Sequence, residues 1–242
     1  MSRSNPHEGN PNPAVRWFEW NGEKGGIRYY DKEAKKNVEV GTEFTFVLLD
    51  QLGSVRGWHE ASQSGIYSNE VKDTSQDLLV VKSFKGGILA EGIYRDIKDS
   101  VNAKGGRFVA NLYIGFKHNG SLALGSLRFK GSALGAWMDF TKANRGQLYA
   151  GAVQITGSTT GKKGRITFHV PTFALVGISQ AANDQAIGLD RTLQSWLDGY
   201  LKRTKHDQAE HAADDDETVS EDESFPMEEI GAPVGADEDL RW

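Results

Sequence analysis

The sequence predicts a mainly β protein, an antiparallel barrel or sandwich with a few connecting helices and one long helix towards its C-terminal end. Three observations lead there. Nine short runs rich in Val, Phe, Tyr and Trp follow one another, separated by glycine-bearing turns: 14–20, 26–30, 36–49, 65–71, 78–85, 107–118, 121–130, 148–155 and 164–170. Within 107–118, apolar Phe108, Ala110, Leu112, Ile114 and Phe116 alternate with Arg107, Asn111, Tyr113 and Lys117, the period-2 pattern of a strand with one buried face. Helical periodicity is confined to three segments.

Taken in order, residues 1–13 hold three of the six prolines and little to bury, which predicts a disordered arm. The first strand brings Trp20, and the next places Arg28 and Tyr30 on one face. Arg56 and Trp58 fall together in a loop after Leu52, and Lys82 and Phe84 share a face in 78–85. Ile93, Ile97 and Val101 then recur at helical spacing from Gly92 to Ala103, and Lys104-Gly105-Gly106 ends that helix.

After 107–118, the pair Asn119-Gly120 predicts a tight hairpin into 121–130, where Leu127 and Phe129 point inward and Ser126, Arg128 and Lys130 outward. A second helix is expected from Ala133 to Asn144, with Leu134 and Trp137 on one side. The third, over 179–203, aligns Ala182, Ala186, Leu189, Leu193, Trp196, Leu197 and Tyr200 in one apolar stripe. It reads as a closing helix docked on the sheet. One domain is expected over 14–205.

From there the charge reverses. Residues 207–242 hold 14 Asp/Glu and one Arg, a net of −13, so the chain's −5 leaves +8 on residues 1–206. A disordered acidic tail is expected over 206–242, tied to a domain whose basic surface suits a polyanion. Its tip, Asp237, Glu238, Asp239, Leu240, Arg241 and Trp242, joins acids to a leucine and a tryptophan, a combination suited to a partner's pocket.

Other classes are disfavoured. The chain has no cysteine, which excludes disulfides, Cys-ligated zinc and a thiol nucleophile. Residues 1–13 are polar and no apolar run approaches the roughly 20 residues of a membrane span, so the expectation is a cytoplasmic protein with no membrane partner. Gly157 to Gly164 imitates a phosphate loop, but three residues instead of four separate Gly157 from Gly161, and Lys163 stands where Ser or Thr is needed. It reads as a hairpin loop with a basic tip. Glu33-Ala-Lys35 and Glu70-Val-Lys72 are triplets of a kind found in metal-dependent nucleases, and the six histidines show no metal or triad spacing. No catalytic residue, metal or cofactor is assigned.

The recurrent pairing of aromatic and cationic residues favours a single nucleic-acid strand. Bases would stack on Trp20, Tyr30, Trp58, Phe84 and Tyr113, while Arg28, Arg56, Lys82, Arg107, Lys117, Arg128 and Lys130 follow the phosphates. Most of the chain's Trp, Tyr and Phe must nonetheless fill the core. An adaptor that binds proteins through its acidic tail, without nucleic acid, is the alternative.

Ile27-Arg28-Tyr29-Tyr30-Asp31 with Asn37-Val38, Phe44 to Asp50, Ser64 to Glu70, Leu189-Asp190 and Leu193-Gln194-Ser195-Trp196-Leu197 together resemble the single-stranded DNA-binding proteins of tailed bacteriophages. The resemblance spans most of 14–203. It implies an OB-fold-like barrel whose groove holds single-stranded DNA in phage replication and recombination, and an acidic tail that recruits replication or recombination proteins in the host cytoplasm. Leu240-Arg241-Trp242 stands where the usual bacterial tip ends in Pro-Phe, which points to a phage-encoded partner.

Overall fold

The structure, a computed structural model, describes residues 11–202. Most of the expected N-terminal arm and the tail with Asp237, Glu238, Asp239, Leu240 and Trp242 lie outside the described residues. Eleven strands and three helices follow in the order β1 (Arg16–Asn21), β2 (Gly26–Asp31), β3 (Lys36–Gly41), β4 (Phe44–His59), β5 (Ser64–Ser68), β6 (Leu78–Ser83), β7 (Gly87–Ile93), α1 (Tyr94–Ala103), β8 (Gly106–His118), β9 (Ser121–Lys130), α2 (Gly131–Ala143), β10 (Ala152–Lys163), β11 (Ile166–Val176) and α3 (Gln180–Leu201). The mainly β class with helices among the strands and a C-terminal helix is as expected.

All strands join one sheet, ordered β3-β2-β1-β9-β8-β4-β5-β6-β7, with β10 beside β4 and β11 beside β10. The meander β4-β8-β9, the helix α2 and the hairpin β10–β11 form its OB-like part. Two details differ from a closed antiparallel barrel. β1 runs parallel to β9, and the ladder stays open between β1 and β11. That gap is bridged by two hydrogen bonds: the His169 N–H donates to the Gly22 carbonyl at 2.7 Å, and Trp20 Nε1 donates to the His169 carbonyl at 3.0 Å.

Alternation sets the curl. Phe18 and Trp20 of β1, Phe46 and Leu48 of β4, Ala110 to Phe116 of β8, Leu127 and Phe129 of β9, and Val153 and Ile155 of β10 close around one apolar interior. α2 plugs it with Trp137, fully buried among Phe46, Phe129, Phe140 and Phe173, and its Nε1 donates to Gln51 Oε1 at 2.7 Å. The β8–β9 turn forms as the sequence predicts, with Asn119 and Gly120 both at positive φ, 49° and 85°.

β4 is the surprise. Its 16 residues outrun the barrel, and the second half pairs with β5 at Gly57–His59. This extension, with β5, β6 and β7, carries a satellite core of Val55, Ile66, Val71, Leu79 and Val81, backed by Ile97 and Val101 of α1. Gly57 permits the passage: a Cβ there would lie 2.2 Å from the Gly105 carbonyl oxygen. Arg56 and Trp58 are therefore strand residues, not loop residues.

α3 starts at Ser179, whose Oγ accepts from the Ala182 N–H at 3.2 Å, and lays Leu193, Trp196, Leu197 and Tyr200 on the outer face of the barrel over Leu52, Tyr113 and Leu124. The sequence-predicted stripe is the buried one.

Candidate nucleic-acid interface

Because strand residues alternate, the ladders alone decide which side chains share the outer face of the sheet. Arg56 opposes Arg107, Val109 opposes Lys130, and Asn111 opposes Arg128. Glu19 lies between Arg128 of β9 and Arg28 of β2, Trp58 opposes Gly65, and Tyr67 opposes Lys82. The face thus runs from Lys82 and Phe84 at β6, through Tyr67, Trp58, Arg56, Arg107, Arg128 and Lys130, to Tyr30 at β2. Seven strands at about 4.8 Å spacing make it about 29 Å across.

Of the twelve residues expected to bind, eleven occupy this face and one does not. Trp20 points the other way into the barrel interior, 6% exposed, so no base can reach it. Tyr113 has the expected direction but is 1% exposed, because Trp196 of α3 packs over it with ring centroids 5.9 Å apart. Lys117 is cut off from Arg128 and Lys130: α3 crosses β8 between them, and a Cβ on Gly115 would lie 3.5 Å from Leu189 Cδ1. Arg28 is buried and ion-paired with Glu19, which cancels its charge. Arg107 donates from Nη1 to the carbonyls of Asn102 at 2.9 Å and Gly106 at 2.7 Å, so it closes the C-terminal end of α1.

What remains in reach is a coherent set. Phe84 is 44% exposed and lies against Tyr67, centroids 4.7 Å apart and planes 34° apart, with its ring over Gly65. Trp58 and Lys82 are half-buried beside it, and Lys130 is exposed. Arg56 and Arg107 stand directly opposite each other across the β4–β8 ladder, which concentrates positive charge at this point of the face. Tyr67, 7% exposed and so a backing ring for Phe84, and the half-buried Trp17 were missing from the sequence reading. Trp17 lies on the same face of β1, with Lys32 Nζ 5.4 Å from its ring centroid.

A hydrogen-bonded clasp fixes where α3 stops. Tyr113 Oη donates to Glu70 Oε2 at 2.7 Å and accepts from Asn12 Nδ2 at 3.3 Å, while Tyr200 Oη accepts from the Glu70 N–H at 3.0 Å. Burial pushes the Tyr113 phenol well above its ordinary range, helped by the Glu70 charge and the hydrogen bond to it. Nearly two turns back, Gln194 Nε2 donates to Asp50 at 2.9 Å and Asp190 at 3.2 Å, and Lys72 Nζ meets Asp50 at 2.9 Å. Glu70 and Lys72, one of the two nuclease-like triplets, are thereby engaged in docking the helix.

No protein-family model matches the chain, and comparisons with curated proteins and with solved structures find no match either. Function must come from the site.

Among the described residues, no three His, Asp or Glu side chains gather as a metal site, and no helix is long and apolar enough to cross a membrane. A histidine–serine cluster does exist: His59 Nδ1 lies 2.8 Å from Ser62 Oγ, which lies 2.8 Å from Ser64 Oγ and donates to Ser83 Oγ at 3.3 Å. It sits on the opposite side of the sheet from Trp58 and ties the β4–β5 turn to the end of β6. No carboxylate bonds to His59 to orient it as a base, so its plain role is to lock two turns together.

Proposed function

We propose that the protein binds single-stranded DNA across the outer sheet face and acts as a single-stranded DNA-binding protein of a bacteriophage, coating the strand during replication and recombination. The observation that carries this reading is the pair of open rings Phe84, backed by the buried Tyr67, and Trp58 beside Lys82, Arg56, Arg128 and Lys130 on adjacent strands. Aromatic planes supply stacking worth about 1–3 kcal/mol per base whatever the sequence, and the cations release counterions from phosphates.

The acidic tail fits the same reading. α3 ends at Leu201, one residue past the Tyr200 clasp, so the chain leaves the described domain at the margin of the basic face. In the absence of DNA the tail competes for that face, and DNA releases it to recruit replication or recombination proteins. The test is a titration of oligo-dT with residues 1–242 and 1–206 at low and high salt. The shorter chain binds more tightly, most visibly at low salt. Equal affinity of the two at low salt would remove the competition, and no binding by either would remove the proposed function.

A further inference from the structure

The β10–β11 hairpin outgrows the sheet that carries it. β10 pairs with β4 only from Val153 to Ile155, and after the irregularity at Gly157 its sole neighbour is β11, the ladder continuing to Lys163 opposite Ile166. Seven residues from Gly157 to Lys163, at about 3.4 Å each, make a two-stranded ribbon about 24 Å long. Its base is braced against the β1–β2 turn: besides the His169–Gly22 bond, Ser158 Oγ lies 3.4 Å from His169 Nδ1, and a Cβ on Gly25 would lie 2.8 Å from His169 Cγ. The half beyond His169 projects, and Gly164, at φ 58°, turns it back.

Its chemistry differs from that of the sheet face. Residues 140–183 contain no Asp or Glu, in a chain with 33, yet they contain Lys142, Arg145, Lys162, Lys163 and Arg165. The last three crowd the ribbon tip, all exposed. Elsewhere its exposed side chains are hydroxyls, Thr159, Thr160 and Thr167. Its one aromatic ring, Phe168, lies half-buried across Gly161, where a Cβ would come within 2.5 Å of it. Cations and hydroxyls without an open aromatic plane suit phosphates and groove edges, whereas unpaired bases need a stacking partner. A two-stranded ribbon also has the dimensions that the major groove of B-DNA, about 12 Å wide, admits.

We propose that the β10–β11 ribbon is a second nucleic-acid site, which engages the duplex flanking a single strand held on the sheet face and makes the protein a binder of single-strand/duplex junctions. The junction preference rests on the sheet face being the single-strand site; the ribbon's duplex chemistry does not.

The experiment uses the full chain, wild type and Lys162→Ala/Lys163→Ala/Arg165→Ala, against three probes: oligo-dT, the same oligo-dT joined to a duplex stem, and the blunt duplex. Wild type favours the junction over oligo-dT by about tenfold or more, as a second linked site adds avidity. The triple variant loses that preference and keeps oligo-dT affinity within about twofold, and its junction salt slope falls by about 2.7 for three phosphate contacts. The changed residues are exposed, so an unchanged thermal melt verifies the fold. An equal loss on oligo-dT and junction would place the ribbon on the single-strand track and overturn the proposal, as would no loss on any probe. Tip-dependent duplex binding by a wild type that ignores oligo-dT would overturn the sheet-face reading and uphold the ribbon as a duplex site. Oligo-dT binding without junction preference would overturn the ribbon alone.

Discussion

Phe84 is where the single-strand reading is most exposed to test. Its ring lies over Gly65 and against Tyr67, with 44% of the residue open to solvent. Phe84→Ala removes one stacking plane and no charge. At about 1–3 kcal/mol per base, oligo-dT affinity should fall about 5- to 150-fold. The fold should tolerate the change, because a half-exposed ring contributes less than about 1.5 kcal/mol of burial. Anisotropy titrations of labelled oligo-dT at several salt concentrations, with wild type, Phe84→Ala and Phe84→Tyr, separate the terms. Phe84→Tyr keeps the plane and its affinity, and all three share one salt slope because the phosphate contacts are unchanged. Unchanged affinity in Phe84→Ala, or an equal loss in Phe84→Tyr, would refute stacking at this position.

Three further outcomes follow from the geometry. Arg128→Ala/Lys130→Ala should lower the oligo-dT salt slope by about 1.4, whereas Lys117→Ala, beyond α3, should leave it unchanged; salt titrations that rank them otherwise contradict the boundary set by the helix. Tyr113→Phe deletes the donor to Glu70 and should cost about 1.5–3 kcal/mol in denaturant unfolding near neutral pH. Since the folded Tyr113 phenol ionises above its unfolded value, stability is intact below about pH 10 and lost as pH rises further, so thermal melts taken up to about pH 11 should show a smaller alkaline decline in Tyr113→Phe. A decline as large as that of wild type would count against the buried phenol. Gly57→Ala places a methyl 2.2 Å from the Gly105 oxygen, backbone against backbone. It should lower the unfolding free energy by about 1–3 kcal/mol or more, and an unshifted denaturation midpoint would contradict that close passage.

The hairpin β8–β9 was legible residue by residue, because unbroken alternation and an Asn-Gly turn leave one register that buries Phe108 to Phe116 and Leu127 to Phe129. The α3 stripe was legible for the same reason at helical period. Glycine misled elsewhere. The run ending at residue 49 and the stretch after Leu52 read as strand and loop, but the chain stays extended and Gly57 marks a close approach inside β4, so Arg56 and Trp58 moved from loop to sheet. The run Gly157 to Lys163 read as a loop on its glycines, while Thr156, Thr159 and Thr160 favour the extended chain it adopts. β7, Gly87-Ile-Leu-Ala-Glu-Gly-Ile93, lacks alternation and was not foreseen.

Within the site, period-2 patterning told which side of the sheet each cation occupies but not what covers that side. Tyr113 was assigned to the correct face and lies beneath α3; Arg28 was too, and its charge is spent on Glu19 across the ladder. Trp20 fails differently: it shares the inward parity of Phe18, and a short strand with aromatics on both faces does not declare which face is the core.

Tryptophan fluorescence during an oligo-dT titration tests the central claim most directly. Trp20, Trp137 and Trp196 are buried, at 6%, 0% and 6% exposure, whereas Trp17 and Trp58 are half-buried on the proposed DNA face. With Trp242 changed to Phe so that the tail is silent, DNA should quench the emission with an affinity that falls as salt rises, and Trp17→Phe/Trp58→Phe should lose most of the quenching while still binding. Salt-insensitive emission, or quenching undiminished in Trp17→Phe/Trp58→Phe, would mean that single-stranded DNA does not lie on this face.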